Sequence, residues 1–213
     1  MSAPVRYDEQ YCPIARALDA LGDRWTLLVL RELAGGDRRF TDLKRALVGI
    51  TPAVLTGRLR QLIDEGMVCE VPGGSTRVTY AITERGREAQ PVLRALARFG
   101  MDLLEDPAEA ERIRPWSAVQ TCLVVWFDPL AATELAVDER YLVRVDGDET
   151  LLSSVRGGGP TKAPIVTLDV DAATLFAIRQ GRRTWADAVA DGSLVTTGPK
   201  AAVTRFRRLF RLV

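Results

Sequence analysis

Histidine is missing from this 213-residue chain. Its absence removes serine–histidine and cysteine–histidine nucleophile pairs, together with the commonest metal ligand. Cysteine is scarce, with Cys12, Cys69 and Cys122 far apart in sequence. A disulfide framework or a CxxC metal site is therefore not expected, and the thiols read as reduced. Neither sign of charge dominates, with 29 basic against 28 acidic side chains. Any affinity for a polyanion has to come from a local patch. No apolar run approaches the roughly 18 residues of a membrane span, and the N-terminus lacks the basic-then-apolar pattern of a secretory signal. Carboxylate or lysine chemistry remains open, yet no carboxylate pair stands in an apolar setting. The expectation is a soluble, cytoplasmic protein with no cofactor, no metal site, no catalytic residues and no membrane contact.

What the chain does have is two halves of different texture. Helical periods dominate the first half, whereas strand runs followed by helices fill the second. Between them EDPAEAERIRPWS (105–117) is charged, holds two prolines and has no apolar face. We read domains over 1–105 and 118–213, joined by a linker at 106–117, in the α+β class.

In the first half, PIARALDALGD (13–23) and DRWTLLVLRELAGG (23–36) are helices closed by glycine, the second capped by Asp23 and apolar nearly all round. FTDLKRALVG (40–49) offers Thr41 as a cap. GITPAVLTGRLRQLIDEGMV (49–68) places Thr51 at an N-cap and Pro52 at the first helical position, where a missing N–H costs nothing. Leu55, Leu59, Leu62 and Ile63 make the core stripe of that helix, leaving Thr56, Gly57, Arg58, Arg60 and Gln61 on other faces. MVCEV (67–71) and RVTYAI (77–82) are strands of a hairpin whose tip is PGGST. A last helix opens at Thr83 with Ala89, Val92, Leu93, Leu96, Phe99 and Leu103 down one side, and Pro91 should kink or split it. Over residues 38–60, Arg38, Arg39, Lys44, Arg45, Arg58 and Arg60 face Asp42 alone. Hydroxyls at a helix N-terminus and arginines on its outer face suit phosphates and base edges.

CPIARALDALGDRWTLLVLREL (12–33), GGDRRFTDLKRAL (35–47), GITPAVLTGRLRQLIDEGMV (49–68) and VTYAITERGRE (78–88) resemble the HxlR-type branch of winged helix-turn-helix transcription regulators. The resemblance implies double-stranded DNA as partner and a homodimer joined through its terminal helices. It also implies a recognition helix at 52–65 in the major groove and a wing tip at 72–77. Local charge and the resemblance together give Arg38, Arg39, Lys44, Thr51, Pro52, Thr56, Arg58, Arg60, Thr76 and Arg77 as the residues expected at DNA. Cys12 stands where some members of the family carry a sensing thiol; Cys69 and Cys122 read as buried strand residues.

In the second half, AVQTCLVVWF (118–127) reads as a strand, and YLVRVDGDETLLSSVRG (141–157) as two strands about an Asp-Gly turn. Residues 163–198 run strand, capped helix, Gly181, helix, Gly192, short strand, and PKAAVTRFRRLFRLV (199–213) closes as an amphipathic helix. The stretch from 166 to 210, VTLDVDAATLFAIRQGRRTWADAVADGSLVTTGPKAAVTRFRRLF, resembles the latter part of sterol-carrier-protein-like domains. That likeness implies an interior between sheet and helices that accepts an apolar small-molecule effector. Its candidate liners are Val124, Trp126, Leu142, Leu152, Phe176, Ile178 and Trp185. Two other readings stay open: a redox regulator acting through Cys12, and a lipid carrier that its winged helix merely dimerises.

Overall fold

In the computed structural model, residues 11–73, 77–101, 103–104, 115–135, 138–154 and 163–212 are described. Caps and glycines set most of the helix ends in the first half. Helix α1 (Pro13–Leu21) stops at Gly22, whose N–H donates to the Leu18 carbonyl. Helix α2 (Arg24–Ala34) starts where the Asp23 carboxylate accepts the Trp25 N–H at 2.8 Å. Helix α3 (Phe40–Ala46) corrects the expected cap: Arg39, not Thr41, is the N-cap residue, and Asp42 accepts its backbone N–H at 3.3 Å. Helix α4 (Pro52–Asp64) begins as expected, with the Thr51 hydroxyl accepting the Val54 N–H at 3.3 Å.

Strands β1 (Val68–Gly73) and β2 (Arg77–Ile82) form an antiparallel hairpin with Val68 opposite Ile82. Arg38 bridges to this hairpin through two backbone hydrogen bonds with Tyr80, 3.0 and 2.7 Å long. The bridge pins the start of α3 to the wing. Pro91 does split the last helical pattern. Helix α5 (Glu84–Arg87) is capped by Thr83, and α6 (Gln90–Met101) begins afresh with the proline in its first turn. Gly86 has a packing reason, since a Cβ there would lie 2.2 Å from the Met67 carbonyl oxygen. Val29, Leu30 and Leu33 of α2, Leu43 of α3, and Leu55, Leu59 and Leu62 of α4 are buried together with Leu47 and Ile50.

The chain divides into two compact units, Met1–Leu93 and Arg94–Val213, with the boundary falling inside α6. In the second unit the strand expected over 118–127 is instead helix α7 (Pro115–Cys122) followed by a 3-10 turn at Val124–Trp126. Ala118 to Gln120 and Cys122 to Phe127 are all buried. A segment covered on every side carries no period to separate helix from strand. Cys122 thus ends a helix, where burial pushes its thiol up to about 12 against the opposing pull of Arg179. Cys69 does lie on a strand, half-buried in β1.

Helix α8 (Pro129–Leu135) leads to a four-stranded sheet in the order β4-β3-β5-β6. Its strands are β3 (Arg140–Val145), β4 (Asp148–Ser153), β5 (Val166–Val170) and β6 (Leu194–Thr197). Pair β3–β5 is parallel and the others are antiparallel. The Asp-Gly turn forms as read, with Asp146 and Gly147 at φ 50° and 87°. Helices α9 (Ala172–Arg179), α10 (Trp185–Ala190) and α11 (Lys200–Leu209) follow, the first two capped by Asp171 and Thr184. Tyr141, Val143, Val145, Leu152, Val166, Leu168, Val170 and Leu194 make the covered face of the sheet. Tyr141 meets Phe206 and Phe210 edge-on there.

Arg179 ties helix ends together. Its guanidinium donates to the carbonyls of Phe210 and Arg211 at 2.9 Å each and to that of Cys122. These lie at or just past the C-terminal ends of α7 and α11, where carbonyls lack helical partners. It also stacks 4.4 Å from the Trp126 ring centroid, and burial lowers its pKa to about 10.

Glu139 is buried, accepts from the Tyr141 hydroxyl at 2.8 Å, and is ion-paired with Arg205. Burial pushes its carboxyl up, but the hydrogen bonds from Arg205 and Tyr141 outweigh it and hold the group below its ordinary 4.5. A carboxyl whose folded pKa is depressed stabilises above its unfolded value, and that stabilisation is lost as pH falls from about 4.5 through the folded value. Glu139→Gln should therefore lower the melting temperature at pH 7 and flatten its decline below about pH 4.5. Melting curves between pH 3 and 7 check this, and parallel curves for both chains would contradict it.

Candidate nucleic-acid interface

The buried stripe of α4 decides what the helix shows outside. With Leu55, Leu59 and Leu62 turned inward, Ala53, Gly57, Arg60 and Asp64 share an exposed strip, and Thr56 is half-buried at its edge. Thr51 and Pro52 are exposed at its N-terminus, where free backbone N–H groups favour anions. Arg39 at the start of α3 is exposed, as is Arg45, while Lys44 is half-buried. Among the described residues Arg60, Arg39 and Lys44 hold no ion pair, so their charge is available outward.

Two arginines of the expected set are placed differently. Arg58 is drawn back along the domain, its Nη2 3.0 Å from the Asp23 carboxylate and its Nη1 donating to Gln61 Oε1 at 2.7 Å. Gln61 Nε2 in turn donates to Glu65 at 3.1 Å. Asp23 therefore caps α2 and anchors α4 at once. Arg38 is half-buried beside its bridge to Tyr80; desolvation lowers its pKa, with Glu32 and Asp42 opposing. Thr76 lies outside the described residues, and of Arg77 only the backbone is described, opening β2 opposite Gly73. Cys12 is half-buried at the N-cap of α1. The anchoring role of Asp23 has no signal in the local sequence, because a capping aspartate looks the same with or without a distant arginine.

In the second unit Val124, Trp126, Leu152, Phe176 and Trp185 are buried and Ile178 is half-buried. Leu142 is corrected: it pairs across the hairpin with exposed Leu151, on the sheet face opposite Tyr141 and Leu152. Alternation about Tyr141 and Val143 settles which face is covered. No group of His, Cys, Asp and Glu among the described residues is arranged to hold a metal ion.

Three helices, a turn into an outward-facing fourth and a pinned hairpin define the winged helix-turn-helix class of DNA-binding proteins. The chain belongs to the HxlR-like helix-turn-helix family, which matches residues 20–107. It is 47% identical over 96 residues to an uncharacterized HTH-type transcriptional regulator of Synechocystis, covering 44% of this chain and 71% of that one. An uncharacterized HTH-type transcriptional regulator of Mycobacterium bovis is 42% identical over 96 residues, with 44% and 60% covered. Among solved structures, the redox regulator HypR in its oxidized form is similar at 29% identity, 45% and 99% coverage, and a TM-score of 0.41. The family and these curated relatives are regulators of transcription, not enzymes. Among the described residues no helix is long and apolar enough to cross a membrane.

Arg60→Ala should weaken DNA binding by about 1–3 kcal/mol while leaving the melting temperature unchanged. Arg58→Ala should instead cost stability, on the order of 0.5–1 kcal/mol for a partly exposed pair, and less affinity. Fluorescence anisotropy with a bound duplex and thermal melts of both variants separate them. The opposite assignment of effects would show that Arg58 leaves Asp23 to read DNA.

Proposed function

We propose that this regulator binds DNA as a homodimer, α4 of each subunit entering the major groove and the β1–β2 wing following the backbone. The observation that carries this is the exposed strip of α4, where Arg60 holds no ion pair among the described residues, on a helix capped by Thr51. Arg39 and Lys44 would meet phosphates beside it, positioning the helix without specifying sequence. Arg38 and Arg58 would act mainly by holding the wing and α4 in place.

Apolar side chains left outside support the dimer. Ile14 and Leu18 of α1 and Val92, Leu96 and Phe99 of α6 are exposed, Phe99 at 72%. Large apolar groups repeated on the outer side of terminal helices suit burial against a second copy.

The second unit is read as the effector domain. Its support is Gln120 of α7, which is 0% exposed with neither amide atom hydrogen-bonded among the described residues. A buried amide without partners costs on the order of 1–3 kcal/mol, so an interior that keeps one has use for a polar contact. The effector would be mostly apolar, packed near Val124, Leu152 and Phe176. A Cys12 thiol switch is the alternative input, and a lipid carrier the alternative role.

The full chain is tested by selecting duplexes from a random-sequence pool and sizing the complex by light scattering. The expected outcome is a dimer on a two-fold symmetric site with half-sites about one helical turn, roughly 34 Å, apart or a multiple of it. Repeating the titration with a panel of fatty acids and sterols should shift DNA affinity in the wild type and not in Gln120→Leu. Recovery of no duplex sinks the DNA reading. A shift produced by peroxide alone, and abolished in Cys12→Ser, would replace the apolar effector by a thiol switch.

A further inference from the structure

Glycine in a helix interior is less favourable than alanine, so each instance calls for a reason. Among the described residues three glycines lie within helices: Gly57, Gly86 and Gly100. Gly86 is required by the close Met67 carbonyl. Gly100 is the penultimate residue of α6, where helix ends fray and propensity weighs little.

Gly57 has no such explanation. It sits in the middle of α4, exposed, and a Cβ built on it would meet nothing within 4 Å. Its backbone does not take the left-handed conformation that favours glycine. Among the described residues, nothing requires the side chain to be missing. It lies directly opposite the buried Leu55, Leu59 and Leu62, one turn from Ala53 on one side and Arg60 on the other.

We propose that Gly57 is the point where α4 comes closest to DNA. Without a Cβ, the helix backbone lies against the major-groove edge of a base pair, and Thr56 and Arg60 reach the bases on either side. Any side chain at 57 would hold the helix away from the groove floor and pull both neighbours out of register. This rests on the reading of α4 as the groove-bound helix. It adds that affinity depends on a group the protein leaves out.

The test uses the full chain and a duplex that the wild type recovers from a random-sequence pool. Gly57→Ala should raise the melting temperature by about 2–8 °C, because the helix gains propensity and the space is open. The same variant should bind the duplex at least about tenfold more weakly. Gly57→Gln should bind more weakly still. A stabilised Gly57→Ala chain with wild-type affinity overturns the proposal. So does a destabilised one, since that would reveal an internal reason for the glycine. Arg60→Ala runs alongside: if it too keeps wild-type affinity, α4 is not at the interface and the underlying reading falls with the proposal. Full loss in Arg60→Ala with none in Gly57→Ala overturns the close approach alone.

Discussion

The packing of Leu55, Leu59 and Leu62 onto the α2 side of the core is the constraint on which the outer surface proposed to meet DNA depends. All three are at most 2% exposed, and burying a leucine side chain stabilises by roughly 1.5–3 kcal/mol. A rotation of α4 about its axis would expose at least one of them. No polar interaction on the helix comes near that magnitude, since the partly exposed Arg58–Asp23 pair contributes about 1 kcal/mol at most. The leucines therefore choose the face, and the ion pair trims the position. Thr56, Gly57 and Arg60 point outward as a consequence of what lies behind them.

Around that helix the chain uses few and specific ties. Thr51 fixes where α4 begins, Asp23 links it to the start of α2, and the Arg38–Tyr80 bridge joins α3 to the wing. The hydroxyl of Thr83 does similar work at the other end, donating to the Gly66 carbonyl at 2.6 Å and accepting from the Gly86 N–H at 3.1 Å. Each tie is a hydrogen bond or ion pair of modest size. Together they hold the hairpin and the outward helix in one arrangement, which is what reading a groove and a backbone at the same time requires.

Much of this was legible in the residues because local chemistry dictated it. Thr51-Pro52, the leucine stripe, the break at Pro91 (read as a kink or a split) and the Asp146-Gly147 turn all act within a few residues. The failures share a cause as well. Nearly all of residues 118–127 are buried, with Thr121 alone half-buried, so their composition suggested a strand while the chain formed a helix and a 3-10 turn. Leu142 and Tyr141 are both bulky strand residues, and only the pairing of Leu142 with exposed Leu151 showed which faced out. Arg58 looked outward until Asp23, distant in sequence, came beside it. Side chains whose roles are set by remote partners cannot be read from their neighbours.

The central claim is that α4 reads the major groove. Dimethyl sulfate methylates guanine N7 in the major groove and adenine N3 in the minor groove, so one footprint distinguishes the two. On a duplex selected by the wild-type chain, the account predicts protected guanine N7 at the centre of each half-site, with adenine N3 there still reactive. Protected adenine N3 with reactive guanine N7 at those centres would contradict it.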